Sequence, residues 1–209
     1  MSERPVTLAF TRRRLPHWRV AGRPYFVTFR LHGTLPIHVI SELAAERRAL
    51  LNRHAGRTEM TEFERGEFRR VEQILEDADN SIRFLEHPVI AALILTTFSF
   101  IEADFGWRFP YIVVMPNHVH CLACRQNTAE ASLEQALGAL KKHTALAGNR
   151  ILGRHGRFWV DENFDYWCRT AERVMRVREY IRCNPVKAGL VKHWREWKWL
   201  RIEEDGESA

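Results

Sequence analysis

Two apolar runs separated by a turn-prone dipeptide constrain the fold of this 209-residue chain more than any other feature. They span residues 111–115 and 118–124, and Pro116 and Asn117 stand between them. Apolar and β-branched residues favour buried strands, whereas proline followed by asparagine is typical of a turn. The segment therefore predicts two strands, or a hairpin, within a buried sheet.

Extended and helical patterns alternate on both sides of this segment. Residues 25–31 are rich in aromatic and β-branched side chains and predict an earlier strand. Residues 87–104 are apolar nearly all round and predict a helix that lies against a sheet. Downstream, residues 157–160 and 164–167 predict one further strand or two short ones. This order indicates an α+β sandwich, in which helices cover one mostly antiparallel sheet.

Capping residues mark two more helices. Ser132, with Gln135 three residues later, forms a capping-box pattern ahead of the first. Thr170 caps the second, which is expected to run over residues 171–183 and to stop before Pro185.

A highly charged stretch lies between the first strand and the apolar helix. Residues 41–80 place Leu, Phe, Val and Ile at near-helical spacing among many Glu and Arg, with a break near Gly56. We expect two amphipathic helices that form an insertion outside the sheet, with no role that the pattern reveals. The predicted organisation is a basic leader over 1–19, one domain over 20–195 and a C-terminal tail over 196–209.

Charge and hydropathy bear on partner and compartment. Lys and Arg number 32 against 26 Asp and Glu, a net charge of +6, which fits a nucleic-acid partner and a merely basic surface equally well. The apolar run over 88–101 contains Thr96, Thr97 and Ser99 and is shorter than the roughly 20 residues that a membrane span needs. The start has no signal-peptide pattern, so we expect a cytoplasmic protein with no membrane contact and reduced cysteines.

The spacing of His118 and His120 suits a divalent metal, because residues two apart share one face of a strand. A third ligand from elsewhere would leave positions open for a phosphate. The same spacing also fits two ordinary core or surface histidines, and together with Cys121 and Cys124 it would fit a zinc site. The two cysteines are expected to face opposite sides of the strand, so we interpret them as core residues.

The last predicted helix carries a row of polar residues beside its apolar stripe. Arg173, Arg176 and Tyr180 lie on one face at helical spacing, and Asn184 follows one turn later. A phenol beside two guanidinium groups is able to act as a nucleophile toward phosphorus. A half-buried structural tyrosine is the alternative.

Two motifs in this order resemble a known family. Residues 115–120 read MPNHVH and residues 178–190 read REYIRCNPVKAGL. Together they resemble the single-tyrosine HUH transposases of the IS200-like class, and more narrowly the REP-associated tyrosine transposases. The resemblance extends from about residue 20 to 194, with the charged helices as an excursion. It implies a ferredoxin-like or RRM-like antiparallel sheet covered by helices.

The resemblance also implies roles for individual residues. His118 and His120 correspond to the metal-binding pair, and Tyr180 corresponds to the nucleophile. Asn184 stands four residues after the tyrosine, where insertion-sequence members usually have a Gln as third metal ligand and REP-associated members often an Asn. The implied cofactor is Mg²⁺ or Mn²⁺.

The implied reaction is cleavage and rejoining of single-stranded DNA through a 5′-phosphotyrosine, and the implied partner is a REP-type hairpin. A monomer and a homodimer are both compatible with it. The residues expected to contact DNA are Arg12, Arg13, Arg14, Lys141, Lys142, Arg173 and Arg176. Several tryptophans are further candidates for stacking on unpaired bases, although core packing would account for most of them.

Two alternatives stay open at the level of sequence. One is a non-catalytic module that binds hairpin DNA or RNA on its sheet, with the histidines as bystanders. The other is a zinc-dependent hydrolase that uses His118, His120 and Cys124.

Overall fold

The computed structural model describes residues 7–12, 16–20, 22–77, 82–126 and 130–203. Its strands are β1 (Thr7–Arg12), β2 (Pro16–Val20), β3 (Tyr25–Arg30), β4 (Trp107–Val114), β5 (His118–Arg125), β6 (Phe164–Trp167) and β7 (Leu200–Ile202). Its α-helices are α1 (Ile37–Asn52), α2 (Arg57–Leu75), α3 (Pro88–Phe105), α4 (Leu133–Ile151) and α5 (Ala171–Lys187).

Five strands form one antiparallel sheet in the order β6-β3-β5-β4-β7. The strands β4 and β5 pair with each other, so the two apolar runs form a hairpin, and Met115 N donates to His118 O across the turn at 2.8 Å. Without β7, the strands and the helices α3 and α4 follow the β-α-β-β-α-β order of ferredoxin-like folds. The predicted α+β class is confirmed.

Alternation along the strands divides the core into two layers, one on each face of the sheet. On one face, α3 and α4 cover side chains such as Val27 and Val119. On the other face, α5 packs against Phe26 and Leu122. His118 and His120 lie four and two residues before Leu122 on β5, so their side chains are on the same face as Leu122. They therefore face α5.

The apolar helix α3 begins at Pro88 and ends at Phe105, and the next residue, Gly106, has a φ of +66° that favours glycine. By length and composition alone it would be able to cross a membrane, and it is the one such helix in the described chain. One side of it packs into the core, while Val89 and Phe100 on its other side are exposed. The buried side chains are Ile90, Ala91, Ile94, Thr97, Phe98 and Ile101. One face of α3 is therefore part of the core.

The predicted capping box opens α4. Ser132 Oγ accepts from Gln135 N at 3.2 Å, and Gln135 Oε1 accepts from Ser132 N at 2.8 Å. Near the other end of α4, the ring of Phe158 lies against Gly148, where a Cβ would approach the ring to 2.8 Å. Glycine is therefore required at this close contact between helix and loop.

The last helix is longer than predicted. Because a residue before proline disfavours helical geometry, the sequence indicated an end before Pro185, but α5 continues to Lys187. Asn184 and Pro185 are both buried in this turn. Tertiary packing of the turn outweighs the local preference, and the prediction was wrong at this end.

The flanking segments and one loop also differ from expectation. The leader contains the β1-β2 hairpin, and the tail supplies the edge strand β7, which pairs with β4. Residues 157–160 contribute only an isolated bridge between Leu31 and Trp159. The two helices of the insertion were predicted correctly, although the first begins at Ile37 and the second ends at Leu75.

Candidate active site

The two histidines of β5 form the centre of the site. His118 and His120 are fully buried, and their Nε2 atoms lie 2.9 Å apart. Their outer nitrogens are held by neighbours: His118 Nδ1 lies 2.7 Å from Asn117 Oδ1, and His120 Nδ1 lies 2.8 Å from Thr28 Oγ1. Such outer partners fix the orientation of metal-binding imidazoles.

A hydrogen bond from the turn fixes the tautomer of His118. Asn117 Nδ2 donates to Leu75 O at 3.0 Å, so its Oδ1 faces the imidazole and accepts the proton of His118 Nδ1. The Nε2 atom of His118 then carries a lone pair directed at His120. This is the form that binds a cation.

The insertion helix α2 supplies a third group, Glu72, which the sequence prediction missed. Its side chain is buried, and Oε2 lies 3.2 Å from His120 Nε2. One ligand atom each from Glu72, His118 and His120 lies within 4.8 Å of the other two. A signal was present: Glu72 stands in the stripe that Phe68 and Leu75 define at helical spacing, where an apolar residue is expected.

Tyr180 reaches the same cluster from α5. Its ring centroid lies 5.3 Å from that of His120, and its hydroxyl donates a hydrogen bond to Glu72 Oε2. The structure thus brings the predicted nucleophile and the predicted imidazole pair together. Burial, then the charge of the Glu72 carboxylate and the hydrogen bond to it, raises the pKa of Tyr180 above its usual value.

Burial determines the charge state of His118. It lowers the pKa of His118 to about 3, and repulsion from a charged His120 acts in the same direction. For Glu72, burial alone would raise the pKa, but attraction to His120 and the hydrogen bond with it prevail and lower the pKa to about 2. A neutral imidazole therefore faces an ionised carboxylate, as a cation site requires.

Unsatisfied buried atoms fit a cation as well. Glu72 Oε1 makes no hydrogen bond to any part of the chain that the structure describes, and the same holds for both amide atoms of Asn184. Asn184 is fully buried on α5, one turn beyond Tyr180. Buried polar atoms without partners call for an ion or a water. Glu72, His118 and His120 together form a donor set that fits a divalent metal.

The predicted DNA contacts on α5 lie beside this cluster. Arg173 and Arg176 line a pocket of about 260 Å³ together with Tyr180, and both arginines are exposed. The Arg173 guanidinium lies 4.7 Å from the centre of the Tyr166 ring. Both guanidinium groups place positive charge beside Tyr180.

The other predicted contacts lie elsewhere. Lys141 and Lys142 belong to α4, on the opposite face of the sheet from Tyr180, and they line a groove of about 560 Å³. Lys141 Nζ donates to Val160 O, Asp161 O and Asn163 Oδ1 at 2.5, 3.0 and 2.8 Å. A phosphate at Lys141 would therefore compete with the loop. Of the leader arginines, Arg12 ends β1, and Arg13 and Arg14 lie outside the described residues.

The zinc site with Cys124 that the sequence left open does not form. Cys124 lies four residues from His120, roughly 13 Å along an extended strand. At that distance the Cys124 thiol and the imidazole of His120 are too far apart to bind one zinc ion. Cys121 packs into the opposite layer, as predicted.

Comparison with known proteins finds a similar fold at low sequence identity. No protein-family model matches the chain, and no curated protein matches it. Among solved structures, a REP-associated tyrosine transposase bound to a REP hairpin is similar, with a TM-score of 0.55 and 16% identity. The similarity covers 92% of this chain and 82% of that chain. At this identity the likeness shows a distant relationship of fold.

Proposed function

We propose that this protein is a metal-dependent, single-stranded DNA endonuclease and strand transferase of the HUH tyrosine transposase type. The observation that carries the proposal is that Tyr180 contacts the buried group of His118, His120 and Glu72, which brings a nucleophile next to a cation-binding group. The similar fold of a transposase bound to a REP hairpin supports hairpin DNA as the substrate class.

In the proposed reaction, Tyr180 is the nucleophile. Its Oη forms a bond to the scissile phosphorus, and the P–O3′ bond breaks. The phenol gives up its proton and the departing O3′ takes one up, so the products are a 5′-phosphotyrosine and a free 3′-OH. Because the phosphotyrosine keeps the phosphodiester energy, the 3′-OH can attack it and rejoin the strand without a nucleotide cofactor.

A metal would be held by His118 and His120 through Nε2, with oxygen ligands from Glu72 and from Asn184, the third ligand that the resemblance implies. When bound, it polarises the phosphate and offsets the charge that develops on it. Imidazole nitrogen suits Mn²⁺ better than Mg²⁺, which prefers oxygen ligands. Of the two cations expected from sequence, we therefore propose that this site binds Mn²⁺ more tightly than Mg²⁺.

The basic residues divide into two groups in this proposal. Arg173 and Arg176 contact phosphates close to the cleaved bond, since they line the pocket that holds Tyr180. Lys141, Lys142 and the leader residues Arg12, Arg13 and Arg14 contact more distant parts of the hairpin. Binding then weakens steeply with salt, as expected for several phosphate contacts. We place this activity in the cytoplasm, at the nucleoid.

One observation favours a second candidate, a non-catalytic hairpin-binding module. The Tyr180 hydroxyl is held by the Glu72 carboxylate and its pKa is raised, so the phenol is a poor nucleophile until the carboxylate is engaged elsewhere. An RRM-like use of the open sheet is disfavoured, because helices cover both faces of the sheet in the described chain.

Formation of a covalent adduct distinguishes the two candidates. The protein is incubated with end-labelled, single-stranded hairpin DNA from its own genomic neighbourhood, with Mn²⁺ or with EDTA, and resolved under denaturing conditions. We expect a labelled protein band that needs Mn²⁺ and disappears in Tyr180→Phe. Tyr166→Phe is the matched control, since Tyr166 lines the same pocket. Binding without any adduct under these conditions would favour the non-catalytic module.

A further inference from the structure

The pocket of about 260 Å³ beside Tyr180 has walls of unusual composition. Phe26, Phe68 and Tyr166 supply three aromatic rings, and Arg173 and Arg176 supply two guanidinium groups. Its volume lies just below the range of about 300–1,000 Å³ that drug-sized ligands occupy. The space therefore suits one small planar group with a negative charge next to it.

The aromatic rings are held in place by neighbouring rings. Phe68 stacks on Phe164 with centroids 4.2 Å apart, and Phe26 contacts both Phe68 and Tyr166 at 5.8 and 5.3 Å. The guanidinium of Arg173 lies 4.7 Å above the Tyr166 ring, where it extends the stacking surface. Rings fixed in this way bind a flat partner with little loss of side-chain freedom.

We infer that this pocket is a subsite for a single unpaired base of the DNA strand, directly beside the phosphate that Tyr180 attacks. The inference rests on the proposed function and extends it to the substrate: aromatic walls stack on a base, and the two exposed arginines neutralise its phosphates. A protein, lipid or acidic peptide partner would not need a pocket that combines stacking rings with the Tyr180 hydroxyl.

The insertion helix α2 completes this subsite. Phe68 and Glu72 stand four residues apart on α2, so one helix face presents a stacking ring to the pocket and a carboxylate to the imidazole pair. The same face anchors on the turn through Leu75 O, which accepts from Asn117 Nδ2. The charged insertion is thus part of the active site and no peripheral excursion.

The experiment uses the full chain with Tyr180→Phe, which suppresses cleavage, and short oligothymidylates that carry one 2-aminopurine at successive positions. We expect fluorescence quenching at one position only, and its loss in Phe68→Ala and Phe68→Leu. Phe68→Trp, which keeps an aromatic ring, restores it. Removing the base at that position weakens binding by about 5- to 150-fold in protein with Phe68, the range for one stacked base.

Phe63→Ala is the matched control, because Phe63 lies on the same helix and packs against Arg47 away from the pocket. Equal quenching at every position, or quenching that survives Phe68→Ala, overturns the inference. If one of these two quenching results is found and the chain without the Tyr180 change still forms the covalent adduct, the proposed function stands while the subsite falls. A protein that binds no oligonucleotide and forms no adduct contradicts both.

Discussion

Replacing Glu72 by Gln isolates the contribution of the insertion to metal binding. The amide still accepts a hydrogen bond from Tyr180 and keeps the volume of the side chain, so α2 remains docked. What disappears is the charge next to His120. The pKa of Glu72 is lowered from 4.5 to about 2, so the charged carboxylate stabilises the metal-free fold by about 3 kcal/mol. Glu72→Gln therefore lowers stability even without metal. For this reason each variant is compared with itself, with and without metal.

The expected size of the effect follows from the donor set. Loss of one supporting group usually costs about 10- to 100-fold in metal affinity, and a direct ligand at least as much. At a Mn²⁺ concentration of about 100 times the wild-type Kd, metal stabilises the fold by about 2.7 kcal/mol. If the Kd rises about 100-fold, only about 0.4 kcal/mol remains. For a chain of this size the difference corresponds to roughly 5–9 °C in Tm.

The assay is thermal unfolding by circular dichroism in Mn²⁺ and in EDTA, for wild type, Glu72→Gln, Asn184→Ala and Glu67→Gln. Glu67 is the matched control, because its carboxylate pairs with Arg47 on the far side of α2 from the site. We expect Glu72→Gln to lose most of the Mn²⁺-dependent rise in Tm, and Glu67→Gln to keep it. Asn184→Ala reports whether the buried amide is a ligand as well. An unchanged rise in Glu72→Gln would refute the assignment of Glu72 to the metal site.

Two further predictions concern the fold and its dependence on pH. Gly148→Ala destabilises the protein by about 1–3 kcal/mol, because its Cβ would meet the Phe158 ring. Gly138 faces open space on the same helix, so Gly138→Ala stabilises the protein by up to about 1 kcal/mol. Equal midpoints of urea unfolding for the two variants would contradict this. His118 is neutral in the folded state and has a pKa of about 3, so the unfolded chain binds the extra proton below its pKa of about 6.5 and stability falls as the pH decreases. Urea unfolding in EDTA should lose about 2 kcal/mol between about pH 7 and pH 5, and His118→Gln should abolish that loss.

Much of the site was visible in the sequence because its key spacings are local. Residues two apart on one strand share a face, which predicted that the side chains of His118 and His120 lie together. Residues seven apart on one helix nearly share a face, which predicted Tyr180 beside Arg173. These relations depend only on the geometry of single elements.

The residues that sequence reasoning missed depend on how elements pack together. The charged insertion contains many glutamates, and only the docking of α2 on the turn distinguishes Glu72 from its neighbours. Tryptophans were the candidates for base stacking in the sequence, but the pocket beside Tyr180 is lined by phenylalanines and tyrosines of separate elements. The edge strand β7 has three residues, too few for an alternation pattern to be recognised.

Locating the covalent bond tests the central claim most directly. After incubation with Mn²⁺ and single-stranded hairpin DNA, the adduct is digested with protease and nuclease and mapped by peptide mass spectrometry. The account predicts a nucleotide attached through its 5′-phosphate to the peptide that contains Tyr180, and no such peptide from His118→Ala. A nucleotide on Tyr166 or any other residue, or an adduct on Tyr180 that forms equally well in EDTA, would contradict it.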